Sequence, residues 1–264
     1  MAVAAGVLAL PSVAAARVTR LVGSGSSAAQ PYMLELFKAY SKLEKNKIQF
    51  LYSPDGGNAG VKDVQAGRVE FSINTRPPLP SDAGTTYIKL FLDALCIAVN
   101  KQNSISNISL SDLKNIFLGV DDNWSQVAGS NLTTTIDPIG RNSAAGQYTF
   151  FQQSVLGGAT QAGNVAQDNA DGLVQNGVGQ NPDAIGYVGL AHSGLPVKKL
   201  TVNGVACSAP YIRNETYPLF RYDWGVFPTA HQNVQVLRFF NWVEHSTAAG
   251  RIINQAGAVA AFNP

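Results

Sequence analysis

Apolar positions along the chain fall into short alternating runs, each followed by small turn residues and then by a stretch of helical period. Val18 to Val22 alternates like a strand and Gly23 to Ser27 is a turn. Tyr32 to Leu43 then carries Leu34, Phe37 and Leu43 among its apolar positions, as a helix would. The arrangement repeats. Ile48 to Tyr52 reads as a strand, Ser53 to Gly60 as a turn and Val61 to Ala66 as a short helix, after which Val69 to Ile73 alternates again and ends at the Pro77-Pro78 break. Further on, Thr134 to Ile139 reads as a strand, Gly140 to Gln147 as a turn, and Tyr148 to Leu156 as a helix holding Phe150, Phe151 and Val155. Successive strand, turn and helix units predict an α/β fold with an open, largely parallel sheet. Such sheets hold ligands beyond the carboxyl ends of their strands.

At those ends the turns are rich in glycine and hydroxyl side chains, which points to an anion. Glycine lets backbone N–H groups come close, serine adds donors, and the following helix N-terminus contributes roughly half a positive charge. Arg141 stands in the third turn, where its planar guanidinium suits an oxyanion; a structural salt bridge is the competing role. The 264 residues favour two lobes over one core. With 45% hydrophobic and 14% charged residues the chain is expected to fold. A net charge of +2 gives no reason to expect nucleic acid or an anionic membrane as partner. His192, His231 and His245 lack metal-binding spacing, and neither a P-loop nor a GxSxG elbow is present, so no metal, cofactor or catalytic residue is expected.

Residues 1–16 are apolar and uncharged, with Ala14 and Ala16 placed as at a cleavage site, and read as a signal peptide for export to a periplasm or outside the cell. A buried N-terminal helix is the alternative. Export would permit a disulfide between Cys96 and Cys207. Cys96 also lies in the apolar run Ala94 to Val99, where a packed thiol fits equally well.

Several segments, in order, resemble the phosphate-specific periplasmic binding proteins of ABC importers: Gly23 to Pro31 with its helix, Gly57 to Lys62, Ala66 to Phe71, Gly140-Arg141, Ala184 to Ala191, and Val236 to Trp242. The resemblance implies a two-lobed fold with two crossovers, near residues 97–100 and 190–195, and a ligand cleft between the lobes. One lobe would combine 17–97 with 193–264, and the other would be 98–192. It implies capture of phosphate or a similar small oxyanion by a monomer that serves a membrane permease.

Carried over position by position, the resemblance places ligand contacts on Ser27, Ala28, Gly57, Asn58, Thr75, Arg141, Ala145, Gly146 and Gln147. The match is incomplete. The second-loop serine has become Gly57, the Ser-Gly-Thr after the arginine is Ala145-Gly146-Gln147, and the carboxylate expected after Val69 to Asn74 is Thr75. A carboxylate there accepts the proton of hydrogen phosphate and repels a fully ionised oxyanion, so its loss predicts poorer discrimination against sulfate. Asp55 and Ser143 are the candidates to replace the missing groups. An exported adhesion module on the same fold and, more remotely, a phosphatase are the alternatives; the aromatic run Tyr217, Phe220, Tyr222, Trp224 and Phe227 suits either a surface patch or ordinary packing.

Overall fold

The computed structural model describes residues 18–130 and 132–261; the segment read as a signal peptide lies outside them. The chain opens with β1 (Thr19–Gly25), α1 (Gln30–Leu43), β2 (Ile48–Ser53), α2 (Gly57–Gln65), β3 (Phe71–Asn74) and the long β4 (Thr85–Asn100). It continues through β5 (Asn107–Ile108), α3 (Leu110–Phe117), β6 (Asp137–Arg141), α4 (Gly146–Ser154), β7 (Ala166–Asp168), α5 (Asp171–Gln180) and β8 (Ala184–Gly189). The last third holds β9 (Val197–Lys199), β10 (Thr201–Val202), β11 (Val205–Ala206), α6 (Ala209–Arg213), β12 (Phe220–Pro228), α7 (Val234–His245), α8 (Thr247–Gln255) and β13 (Val259–Ala260).

Strand order β2-β1-β3-β12-β4-β8-β6-β7 makes two lobes of one bent sheet. β1 pairs in parallel with β2 and β3, and β6 pairs in parallel with β7 and β8, as successive βα units require. β4 belongs to both lobes. Its residues Thr85 to Ala94 pair with β12, and Leu95 to Val99 pair with β8. One strand therefore carries the chain from lobe to lobe.

Each lobe has its own core. In the first, α1, α7 and α8 bury Phe37, Tyr40, Phe239 and Ile253 with Leu21, Ile48 and Phe71 of the sheet. A fully buried side chain of this size contributes about 1.5–3 kcal/mol. The apolar spacing expected of α1 is shifted by one face: Leu34 and Leu43 are exposed, while Tyr32, Met33, Leu36, Phe37 and Tyr40 face inward. Two tyrosine rings, apolar over most of their area, complete the buried stripe that the leucines only suggested.

The second core joins Ile97, Val99, Phe117, Trp124, Phe151 and Tyr187. Leu200, Val202, Cys207, Ile212, Tyr217 and Leu219 pack into the same cluster, and β9 pairs with Ala98 to Asn100 of β4. Residues 197–219 thus pack with the second core, although the resemblance gives them to the first lobe. The chain rejoins the first-lobe sheet at β12, beyond the crossover expected near 190–195. Cys96 and Cys207 form a disulfide with their Cα atoms 5.6 Å apart, fastening this segment to β4. Of the aromatic run, Tyr217 and Phe227 are buried, Phe227 packs near Phe240, and Lys89 lies over the ring of Tyr222. Packing accounts for these residues.

Candidate functional site

Four βα units bring their helix N-termini to one place, between the lobes. Each such terminus leaves first-turn N–H groups without intrahelical partners, so their convergence concentrates donors and positive potential. Ser27, in the turn before α1, donates its hydroxyl to Asp171 Oδ2 at 3.3 Å and accepts from the Asp171 backbone N–H, also at 3.3 Å, at the start of α5. The N–H groups of Asn58 and Ala59, in the first turn of α2, donate to the Ala144 carbonyl at 2.9 and 3.2 Å, just before α4. α2 begins at Gly57, four residues earlier than the apolar pattern suggests, so Gly57 and Asn58 belong to a helix terminus. Gly146 opens α4 against the end of β3: a Cβ at Gly57 or at Gly146 would collide with Asn74 Oδ1, and only glycine permits this approach from both sides.

Arg141 is the last residue of β6 and is 1% exposed. Its Nε donates to the Asp168 carbonyl at 3.2 Å, Nη2 to the Asn169 carbonyl at 2.7 Å, and Nη1 to Gln147 Oε1 at 2.6 Å and to Asp171 Oδ2. Four of its five N–H groups are thereby used, which leaves one on Nη2 without a partner among the described residues. The Arg141 backbone N–H donates to the Tyr187 hydroxyl at 2.9 Å, fixing the strand end from which the guanidinium projects.

Asp171 is the candidate site residue that sequence reasoning missed. Its carboxylate is fully buried and accepts from Ser27, Arg141, Gln147 Nε2 at 2.8 Å and the Gly189 backbone N–H at 2.7 Å. Burial pushes its pKa up, but the Arg141 charge, His192, the Gly189 N–H and Gln147 more than offset this and hold it below the ordinary carboxylate range. A signal existed: β7, a short turn and α5 form another strand, turn and helix unit with an acid in its first turn. The run is too polar for apolar periodicity to reveal it.

The remaining expected contacts lie in the same region. Ala28 and Ala145 are buried, and Ala145 is the N-cap of α4 with no side chain able to cap it. Thr75 is buried at the end of β3, its hydroxyl facing Gly146. Asn58 has become an interlobe contact. Its Nδ2 lies 3.0 Å from the Ser143 and Ala145 carbonyls and 2.9 Å from Thr149 Oγ1, while its Oδ1 accepts from Arg76 Nε at 2.7 Å. Arg76 is itself held by Asp82, so the amide is oriented with its NH2 toward the second lobe.

Both replacement candidates named from sequence lie in turns beside these helix termini, with exposed side chains. Asp55 stands in the turn before α2, and Ser143 lines a cavity of about 200 Å3 together with Asn58, Lys62 and Arg76. From the other lobe, Asp171 brings a buried carboxylate to the same region. Among the described residues no cluster of His, Cys, Asp and Glu has the geometry to hold a metal ion.

The sequence profile of the PBP superfamily domain matches residues 11–247. Among characterised proteins, the phosphate-binding protein PstS of Borreliella burgdorferi is 25% identical over 236 residues, covering 84% of each chain. The Bacillus subtilis phosphate-binding protein PstS is 27% identical over 208 residues, covering 76% of this chain and 67% of its own. Among solved structures, a putative phosphate ABC transporter substrate-binding protein with bound phosphate from Clostridium perfringens superposes with a TM-score of 0.85 at 21% identity, over 92% of this chain and 99% of that one. An ABC-type phosphate transport receptor from Vibrio cholerae gives 0.75 at 22% identity, over 90% and 99%. At these identities the structural matches establish the fold.

Proposed function

This chain belongs to the PBP superfamily, and from that premise we propose that it captures phosphate or a phosphate-like small oxyanion between its lobes, as the solute-binding component of an ABC importer. One observation carries the reading: Ser27 of the first lobe and Arg141 and Gln147 of the second already hold an oxygen pair, the Asp171 carboxylate. Donors that saturate a carboxylate are chemically competent for phosphate oxygens. Relatives named for phosphate binding support the same ligand.

Recognition is by neutral donors aimed by the fold, because Asp171 balances the charge of Arg141. The remaining Nη2 N–H and the first-turn N–H groups of α4 supply donors, and their shared low-dielectric setting strengthens each bond. The carboxylate of Asp171 takes four bonds on its two oxygens, and a protonated oxyanion is accepted by displacing the longest of them, from Ser27. The protein acts by binding and release, as an exported monomer that delivers the anion to a membrane permease. The segment 1–16 supports export by its composition.

The test is calorimetry on protein stripped of bound anion by unfolding and refolding, with phosphate, sulfate and acetate titrated at one pH and salt concentration. Phosphate is expected to bind tightest and Arg141→Lys to weaken it, since an ammonium keeps the charge opposite Asp171 but loses the planar fork. Absence of binding by all three anions would overturn the reading.

A further inference from the structure

Behind the anion site lies a second buried cluster, and its charges do not balance. Arg221 and Asp223 project from β12, and Asp93 stands opposite Arg221 on β4. Asp93 and Asp223 are 0% exposed and Arg221 3%. Arg221 Nη2 donates to Asp93 Oδ2 at 2.6 Å, and the Leu190 N–H donates to Asp93 Oδ1 at 3.1 Å, so both oxygens of Asp93 have a donor. Among the described residues, both oxygens of Asp223, and Nε and Nη1 of Arg221, have no hydrogen-bond partner.

The two clusters meet at Gly189. Its N–H holds Asp171, and a Cβ there would stand 3.3 Å from both Arg221 Nη2 and Asp93 Oδ2. Together they contain three carboxylates and two guanidiniums, all shut away from water. An unpaired buried carboxylate carries a desolvation penalty of several kcal/mol, which a proton removes. Among the described residues, Asp223 is the one of the three that receives no donor.

From this count we infer that Asp223 is a proton-binding site: it keeps its proton in the folded protein at neutral pH, which makes the floor of the anion site electroneutral, and losing that proton weakens both the fold and anion capture. The groups facing it are Arg221 on its own strand, Asp93 of β4, Asp171 of α5, Tyr32 of α1 and Tyr52 of β2. Burial, then Asp93, then Asp171 push its pKa well above the ordinary carboxylate value, against the opposing pull of Arg221. Tyr52 also donates to the Ser26 carbonyl at 2.9 Å, in the turn that carries Ser27, so this cluster supports the loop that meets the ligand.

The part concerning capture rests on the oxyanion reading; the part concerning the proton does not. Wild type and Asp223→Asn are compared by denaturant unfolding from pH 4 to pH 9. A carboxyl protonated in the folded state but ionised in the unfolded chain contributes stability that is complete below the unfolded pKa and lost as pH rises through the folded one. The two proteins should therefore be closest near pH 4, and the unfolding constant of wild type should grow relative to the variant by up to tenfold per pH unit. A pH-independent difference, or a variant that falls behind as pH rises, overturns the inference. If the amide does not fold, Asp223→Leu must show the same slope. Calorimetry with inorganic phosphate then reads the coupling: the ratio of variant to wild-type affinity, in which the titration of phosphate itself cancels, stays near one wherever the stability slope persists and rises where it ends. A ratio that departs from one within the slope, or stays flat beyond its end, overturns the coupling. If neither protein binds phosphate, the oxyanion reading fails while the stability slope still decides the proton.

Discussion

Of the three arginines buried among the described residues, Arg141 and Arg221 are shut away to almost the same degree, and their surroundings could hardly differ more. Arg141 spends four N–H groups on four acceptors from three segments, and its carboxylate partner has every lone pair occupied. Arg221 makes one short ion pair with Asp93 and leaves two nitrogens unpartnered beside the extra carboxylate of Asp223. Burial alone therefore says little about what an ionic group does. Saturation distinguishes them: a closed network fixes geometry, which a binding site needs, whereas an unsaturated one stays responsive to protons. The two should depend on pH in opposite senses, Asp171 losing its contribution on the acid side and Asp223 losing its own on the alkaline side.

The most forceful way to break this contrast is Arg141→Met. Removing the guanidinium leaves the Asp171 carboxylate buried without its cation, which costs about 3–5 kcal/mol, and the double variant Arg141→Met/Asp171→Leu should recover a large part of that loss. Urea unfolding of the single and double variants measures it. A single-variant cost below about 1 kcal/mol would mean that water reaches Asp171 and the network is not closed. Loss of anion binding in such a variant cannot be assigned to ligand contact alone, because the residue proposed to meet the ligand also ties elements of the second lobe together.

Next in size is the acid limb. Because Asp171 is held below the ordinary carboxylate range, its stabilisation is fully present above the unfolded value of about 3.9 and is lost as pH falls through the folded value. Asp171→Asn should cost about 1–3 kcal/mol at neutral pH, and its curve should converge with that of wild type in strong acid. Thermal unfolding at a series of pH values below 5 shows whether the curves meet. Parallel curves would place the loss in packing instead of charge.

Much of this organisation was legible in the chain. The βα repetition gave the fold, and the small residues at Gly23 to Ala28, at Gly57 and Asn58, and at Arg141 to Gln147 located three of the four helix termini, because turn chemistry is written locally. What escaped detection is long-range. Asp171 meets Ser27 across 144 positions, and nothing near either residue records the pairing. The disulfide spans 111 positions and stayed an open alternative for the same reason. Residues 197–219 sit with the second core because of contacts that Tyr217 and Leu219 make with distant strands, and their own pattern is equally compatible with either lobe. Asn58 illustrates a subtler limit: the resemblance placed it among the ligand contacts, but nothing local showed that its amide also joins the two lobes.

That interlobe contact offers a third test. Asn58→Ala removes the Nδ2 donor from two carbonyls and a hydroxyl of the second lobe and leaves Arg76 Nε without its acceptor, for a cost of about 1–2 kcal/mol. Since the bonds join the lobes, the variant should also show a larger radius of gyration by small-angle scattering without ligand and a return to wild-type dimensions with phosphate. Unchanged dimensions in both conditions would show that the α2 N-terminus and the Ala144 carbonyl suffice to hold the lobes together.

The smallest effect expected is a gain. Ala145 occupies the N-cap of α4 with the extended backbone of a capping residue, φ −81° and ψ 134°, yet has no side chain to cap with. Ala145→Ser places a hydroxyl where the N–H groups of Gln147 and Tyr148 lack intrahelical partners, which is worth about 0.5–1 kcal/mol of stability. The same hydroxyl faces the oxyanion site, so its two roles compete: once it caps the helix, it occupies the N–H groups proposed to meet the ligand. If capture depends on those groups, the variant should be more stable than wild type and bind phosphate no better. If capture depends mainly on side-chain donors, affinity should rise with stability. Thermal unfolding and calorimetry on this one variant therefore separate two modes of recognition that the saturated Arg141 network otherwise leaves entangled.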